Sequence, residues 1–372
     1  MSLIEPPLRF GEFKGEKTNL LTIEDIATIQ VARDLKEDSF SEVETDKHSF
    51  PVYSNTVVNY GFYGFYDFEE YKGNCLTVVG RGAGLGKAFP RINGFGAIGR
   101  LLVITPKENR FDVSYFSNYV NFKLQIHNES GGIPQLPGST FGKYQAELPS
   151  LAEQTKIANF LTAVDEKIQH LTQKADLLAQ YKKGVMQQIF SQELRFKDDD
   201  GAEFPAWEAV TLGDISNKKS SNISANSLES NEGEYKIFGA AGILKKVDFY
   251  TQEEAYISIV KDGAGVGRTF LCEPKTSVLG TLEIIQPKKN ININFLHAIM
   301  QKIDFTIYVT GSTIPHVYYK DYSKEKLLLP ILNEQTKIAN FLTTIDDKIT
   351  HTQTQLAAVK QYKQGLLQQM FV

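Results

Sequence analysis

Two stretches of the chain alternate apolar and polar positions with a helical period. In the first, Ile157, Leu161, Val164, Ile168, Leu171, Ala175 and Leu178 recur at alternating steps of four and three. In the second, Ile338, Leu342, Ile345, Ile349, Leu356 and Val359 do the same, with Thr352 a polar break. Charged and amide residues fill the other faces. Pro149 and Pro330 open the stretches, and neither Pro nor Gly returns until Gly184 and Gly365. The spacing predicts two helices of roughly 35–40 residues, each a rod of order 50–60 Å at ~1.5 Å per residue. A heptad seam held over several turns winds helices together. The expected arrangement is an antiparallel coiled coil with a globular domain at each end. Two core helices of one larger globule are the alternative.

The stretches are copies of each other. LPSLAEQTKIANFL (148–161) returns as LPILNEQTKIANFL (329–342), an offset of 181 residues, and about 24 of the 43 positions up to Phe190 and Phe371 are identical. The offset extends upstream with weaker identity. Gly82-Ala83-Gly84-Leu85-Gly86-Lys87 aligns with Gly263-Ala264-Gly265-Val266-Gly267-Arg268, and Gly132-Ile133-Pro134 with Thr313-Ile314-Pro315. Leu8-Arg9-Phe10 and Leu194-Arg195-Phe196 open the two halves at a slightly longer offset. The order is therefore variable domain, shared helix, variable domain, shared helix. Near-identical helices suit one kind of partner met twice; divergent domains in equivalent places suit two different targets.

The variable regions mix strand and turn signals. Cys75–Val79, Leu101–Ile104, Tyr256–Val260 and Leu282–Ile285 read as strands. The aromatic run Tyr53, Tyr60, Phe62, Tyr63, Phe65, Tyr66 and Phe68 suits hairpin and core packing ahead of base stacking.

Each glycine loop follows a strand and is flanked by cations: Arg81 and Lys87 in one half, Lys261 and Arg268 in the other. Glycines such as Gly84 and Gly265 let backbone amides approach a phosphate, and the cations add Coulomb attraction. The spacing is neither a Walker A loop nor a dinucleotide fingerprint. A tight structural hairpin is the bland alternative. A second loop lies nearer each helix: Ser130 to Gln135, and Gly311 to His316. Ser312 and Thr313 suit phosphate contacts, while Gln135 and His316, at matched positions, are candidates for touching a base edge. A turn before a strand explains either loop equally well.

Composition narrows the chemistry. The 372 residues fit two domains, and a 42% hydrophobic share supplies cores for both. Two distant cysteines, Cys75 and Cys272, argue against a disulfide scaffold or a zinc site. The start, Met1 to Pro7, does not read as a signal peptide, and no apolar run is long enough to span a membrane. A cytoplasmic protein is expected. The net charge of −4 does not advertise nucleic-acid binding. However, the stretch from Lys72 to Lys143 holds Lys72, Arg81, Lys87, Arg91, Arg100, Lys107, Arg110, Lys123 and Lys143 against Glu108, Asp112 and Glu129. Such segregation can give one basic face on an acidic protein; a mixed solvated surface is the alternative.

Signs of catalysis are missing. No (N/D)PP(Y/F) loop for a flipped adenine occurs, and Glu5-Pro6-Pro7-Leu8 is not one. Asp165-Glu166-Lys167 and Asp346-Asp347-Lys348 look like a nuclease cluster but fall on the polar face of the predicted helices, where solvated charge pairing is the default. His170 and His351 match across the repeat, again on the helices, and no metal spacing appears.

Taken together, the doubled LPxxxEQxxIAxFL blocks, LRF…W…LGDI at Leu194–Ile215 and the GAGxG loops resemble the specificity subunit of type I restriction–modification enzymes. The resemblance covers essentially the whole chain. One departure is the start of the first half, where Leu20-Leu21-Thr22-Ile23-Glu24-Asp25-Ile26 stands against Trp207…Leu212-Gly213-Asp214-Ile215, without the tryptophan. The resemblance implies a mixed α/β fold with two pseudo-symmetric target-recognition domains, at 1–147 and 192–328. Shared helical regions at 148–191 and 329–372 would join them. Each domain would read one half of a bipartite site on double-stranded DNA. The helices would set the spacer and dock two modification subunits, with restriction subunits in the full complex. S-adenosylmethionine, ATP and Mg2+ would belong to those partners, with no cofactor and no catalytic residue in this chain. The competing reading is a coiled-coil scaffold presenting two protein-binding domains without DNA specificity.

Overall fold

The computed structural model describes residues 6–128 and 132–371. Met1 to Glu5, Ser130 and Gly131 therefore lie outside the described residues. The chain divides into two compact units, Met1–Thr172 with Thr354–Val372, and Gln173–Gln353.

Each unit is built on an antiparallel four-stranded sheet. In the first the strands are β1 (Ala27–Val31), β2 (Cys75–Val78), β3 (Ala88–Arg91) and β4 (Leu102–Pro106), in the order β1-β4-β2-β3. In the second they are β5 (Ser216–Ser220), β6 (Tyr256–Val260), β7 (Thr269–Cys272) and β8 (Leu282–Pro287), in the equivalent order β5-β8-β6-β7. The register repeats as well. Leu76 faces Ile104 in one sheet and Ile257 faces Ile285 in the other, both pairs 181 residues apart. The predicted strands at 75–79, 101–104, 256–260 and 282–285 are these strands to within two residues at each end. A helix, α1 (Val113–Phe122) or its counterpart α3 (Ile293–Met300), covers each sheet. Asp112 and Asn292 cap these helices by accepting from the amides two and three residues on, which satisfies donors that the first helical turn would leave free. The aromatic run packs mainly within a second small sheet, where Tyr66 is fully buried against Phe40 and Phe68.

The helical periodicity is realised as α2 (Leu151–Phe190) and α4 (Leu332–Met370). In the first unit Ile157, Ala158 and Leu161 share a core with Leu366, Met370 and Phe371. In the second, Ile338, Ala339, Leu342 and Ile345 share one with Val185, Ile189 and Phe190. Within each unit the start of one helix meets the end of the other, so the pairing is antiparallel. Burying a Leu or Ile side chain contributes ~1.5–3 kcal/mol, so these contacts outweigh helical propensity in fixing the pair.

The identical Glu-Gln of each repeat has a structural reason. Gln154 and Gln335 are buried; each donates to the carbonyl of the opening proline, Pro149 or Pro330, at 2.9 Å. Each also accepts from the backbone amide of a helix cap, Asp112 at 3.1 Å or Asn292 at 2.9 Å. Glu153 and Glu334 are equally buried and receive the guanidinium groups of Arg9 and Arg195. The arginine of each LRF segment thus clasps the first turn of a long helix. Trp207 Nε1 adds a bond to Glu334 at 2.9 Å. Thr22 and Thr211 each open a short helical turn with a capping box to Asp25 and Asp214. That equivalence runs at an offset of 189, and it places Thr18 where the second half has Trp207.

Candidate nucleic-acid interface

In both units the glycine loop closes the hairpin of the two strands before and after it, β2 to β3 and β6 to β7. The closing bonds are the same: Gly86 N–H to Val79 O and Gly267 N–H to Val260 O, each 2.8 Å, and Val79 N–H to Lys87 O and Val260 N–H to Arg268 O, each 2.9 Å. The tight hairpin given as the alternative is therefore present. Gly86 and Gly267 take φ of +81° and +84° and press against Ile126 and Phe305, so no side chain fits at either position.

The two loops singled out in each half come together. Gly82 donates to Pro134 O and Gly263 to Pro315 O, both at 2.9 Å. The return bonds are Leu136 to Gly80 O at 2.8 Å and Val317 to Lys261 O at 2.9 Å. Isolated bridges then pair Arg81 with Gln135 and Asp262 with His316. Asn55 clamps the first loop by accepting from Gly80 at 2.8 Å and donating to Arg81 O at 2.6 Å.

The predicted residues therefore lie in two local clusters, one per unit. Arg81, Lys87 and Gln135 are exposed, and the Lys87 ammonium has no partner among the described residues. The Arg268 guanidinium folds back to the Ala240 carbonyl at 3.1 Å. Ser312 and Thr313 are exposed, and their hydroxyls bond to no described residue. Gly265 is exposed but lies beside the Arg268 guanidinium, whereas Gly84 lies under Val57. The amides of Ala83, Gly84, Ala264 and Gly265 donate to no described group, leaving adjacent N–H groups at each loop tip. Such groups suit an anion. Lys261 sits one position before the counterpart of Arg81; that counterpart is Asp262, so the flanking cations are not strictly equivalent. His316 Nδ1 lies 2.7 Å from Asp262 Oδ1. The exposed isoleucines Ile133 and Ile314 stand beside the loops at matched positions.

Not every cation in the basic stretch reaches this surface. Arg91 is buried, with its guanidinium 3.4 Å from the Tyr53 ring centre and its Nε donating to Thr77. Burial lowers its pKa to about 10. The tempting acid clusters on the helices have structural partners: Asp165 takes Lys363 and Asp346 takes Lys182. His170 and His351 are both exposed. Among the described residues no group of His, Cys, Asp and Glu could hold a metal, and no helix is long and apolar enough to cross a membrane. Cys75 and Cys272 are buried and free.

This doubled architecture has known counterparts. The family model for the type I restriction modification DNA specificity domain matches the chain twice, at residues 16–180 and 206–361. The chain belongs to that family. S.MpnORF507P of Mycoplasma pneumoniae, a candidate type I specificity subunit, is 24% identical over 85% of this chain and 86% of its own. The specificity subunit of the type I restriction enzyme MjaVIII from Methanocaldococcus jannaschii is 28% identical over 50% of this chain and 47% of its own. The crystal structure of a type I restriction–modification S subunit from M. genitalium superposes with a TM-score of 0.76. It covers 99% of both chains at 16% identity, so it attests the fold. The long helices, paired recognition domains and mixed α/β sheets are those of a specificity subunit. Asn55 and Asp262 carried no signal in the sequence as loop partners; the 181-residue offset, applied to Gln135 and His316, points to Arg81 and Asp262 only once the pairing is seen.

Proposed function

We propose that the chain reads a split sequence on double-stranded DNA, one half-site per unit, through the paired loops. The observation that carries this is the same backbone device in both units, holding different side chains at matched positions: Arg81 with Gln135, and Asp262 with His316. A common scaffold with changed tips is what two half-sites of different sequence require. Lys87, Arg81, Lys261 and Arg268 contact phosphates, together with the amides near Gly84 and Gly265 and the hydroxyls of Ser312 and Thr313. Gln135 and His316 reach base edges in the groove.

The helix α2 has 40 residues, ~60 Å at ~1.5 Å per residue, which exceeds the ~34–36 Å of one DNA turn. Helices of that length suit a fixed gap between half-sites. Their repeated outer faces suit two copies of one partner, the modification subunits. Methyl transfer from S-adenosylmethionine and ATP-driven cleavage with Mg2+ then belong to the modification and restriction subunits, and this chain contributes no catalytic group.

The test is a salt titration of DNA binding. Lys87→Ala and Arg268→Ala should each weaken binding about equally across sequences and reduce the slope of log K against log salt by about one. An unchanged slope in both variants removes the loops from the interface.

A further inference from the structure

In the second unit the two loops are joined by side chains as well as backbone. Asp262 and His316 occupy the bridge that Arg81 and Gln135 occupy in the first. The carboxylate of Asp262 can only accept, so in the neutral form of the imidazole the hydrogen sits on Nδ1, 2.7 Å away. Nε2 is then an acceptor, and it has no partner among the described residues, with the side chain 33% exposed.

The ring is held at Nδ1 and on one face. Its backbone exchanges two 2.8 Å hydrogen bonds with Thr310, and its face lies 6.3 Å from the Tyr318 ring at 23°. Lys261 Nζ approaches the second oxygen of Asp262 at 3.9 Å, supplying positive charge to the same carboxylate. Lys320 lies over Tyr318 at 5.4 Å.

We propose that Asp262 is a positioning residue that sets the tautomer of His316, and that His316 Nε2 accepts a hydrogen bond from an exocyclic base amino group. Adenine N6 and cytosine N4 are the two such donors in the major groove. The first unit lacks the device: Arg81 is a donor only, and Gln135 offers both a donor and an acceptor. The two units thus differ in the hydrogen-bond pattern they can read, at one matched position. This assignment rests on the reading that the loops face DNA.

The experiment is selection from a randomised duplex pool by the full chain and by Asp262→Asn, His316→Ala and Lys261→Ala/Arg268→Ala variants, with melting temperatures measured alongside. The wild type should enrich adenine or cytosine at one position of one block, and which base emerges identifies the donor. Asp262→Asn and His316→Ala should each reduce that preference ~5- to 10-fold, the loss of one hydrogen bond, leaving every other position as in the wild type. Asp262→Glu should keep the preference. If both variants keep the wild-type preference while Lys261→Ala/Arg268→Ala binds more weakly, the loops contact DNA but the pair does not read it. A loss spread evenly over all positions, with a lowered melting temperature, makes the pair merely structural and overturns the assignment. If all variants bind and select as the wild type does, both the assignment and the loop interface fall.

Discussion

Lys182 Nζ lies 2.6 and 2.9 Å from the two carboxylate oxygens of Asp346. Its repeat counterpart Lys363 makes the same contact with Asp165, at 2.6 and 2.7 Å. The two bonds interchange under the 181-residue repeat, which carries Asp165 onto Asp346 and Lys182 onto Lys363. A polar residue near each end of the seam is thereby matched to its antiparallel partner, and a shifted pairing would separate both. Asp346 is half exposed, so the pair contributes only about 1 kcal/mol. Lys182→Asp should lower the urea midpoint accordingly, and adding Asp346→Lys should recover most of the loss in a double-mutant cycle.

The clasp on the first turn of α4 is stronger. Glu334 is fully buried and receives both Arg195 and Trp207 Nε1. Glu334→Ala removes the carboxylate from a guanidinium that keeps only the Phe204 and Pro205 carbonyls, leaves the indole N–H without its acceptor, and should destabilise the second unit by about 3 kcal/mol. Glu334→Gln, which keeps the shape and one acceptor, should cost less. Urea unfolding followed by the fluorescence of Trp207, the single tryptophan, reads the affected unit directly.

His297 gives stability a pH dependence. Burial, helped by nearby Lys182, pushes its imidazole down to about 4 from an ordinary 6.5. Unfolded chain takes up a proton as pH falls below about 6.5, whereas the folded chain resists until about 4. Stability is therefore present above that window and lost as pH falls through it, by at most about 3 kcal/mol at ~1.36 kcal/mol per unit. His297→Asn should flatten the fall in unfolding free energy between pH 6.5 and 4.5 relative to the wild type.

Two glycines of one loop should respond differently. Gly267 takes φ +84°, and a Cβ added there would stand 2.5 Å from Phe305 Cβ, while Gly263, at φ +83°, faces open space. Gly263→Ala meets only backbone strain, about 1 kcal/mol. Gly267→Ala adds a clash with the Phe305 side chain and should cost more than twice as much, read as the difference in melting temperature between the two variants.

Much of this was legible before the structure. The seam from Ile157 to Leu178 gave a helix because a 3.6-residue period and the absence of Pro and Gly leave no competing element. The strands near Cys75 and Tyr256 stood out because buried strands read as short apolar runs between turns. What stayed hidden was long-range. Arg9 and Glu153 lie 144 residues apart, and no local pattern announces that they meet. Arg91 counted as a surface cation in the sequence because charge alone does not reveal a site walled by Tyr53 and Thr77. The identical Glu-Gln of the repeats was visible as identity, but its cause, a helix start bonded to a neighbouring cap, needed coordinates. The units part at Thr172 and Thr354, inside the long helices, because each half of a helix packs with the domain at its own end.

Selection from a randomised duplex pool by the chain with its modification subunits, at defined salt, shows whether DNA is read in two halves. Two short fixed blocks separated by a constant gap are expected. A single contiguous block, or no enrichment with active partners present, would contradict a split reading.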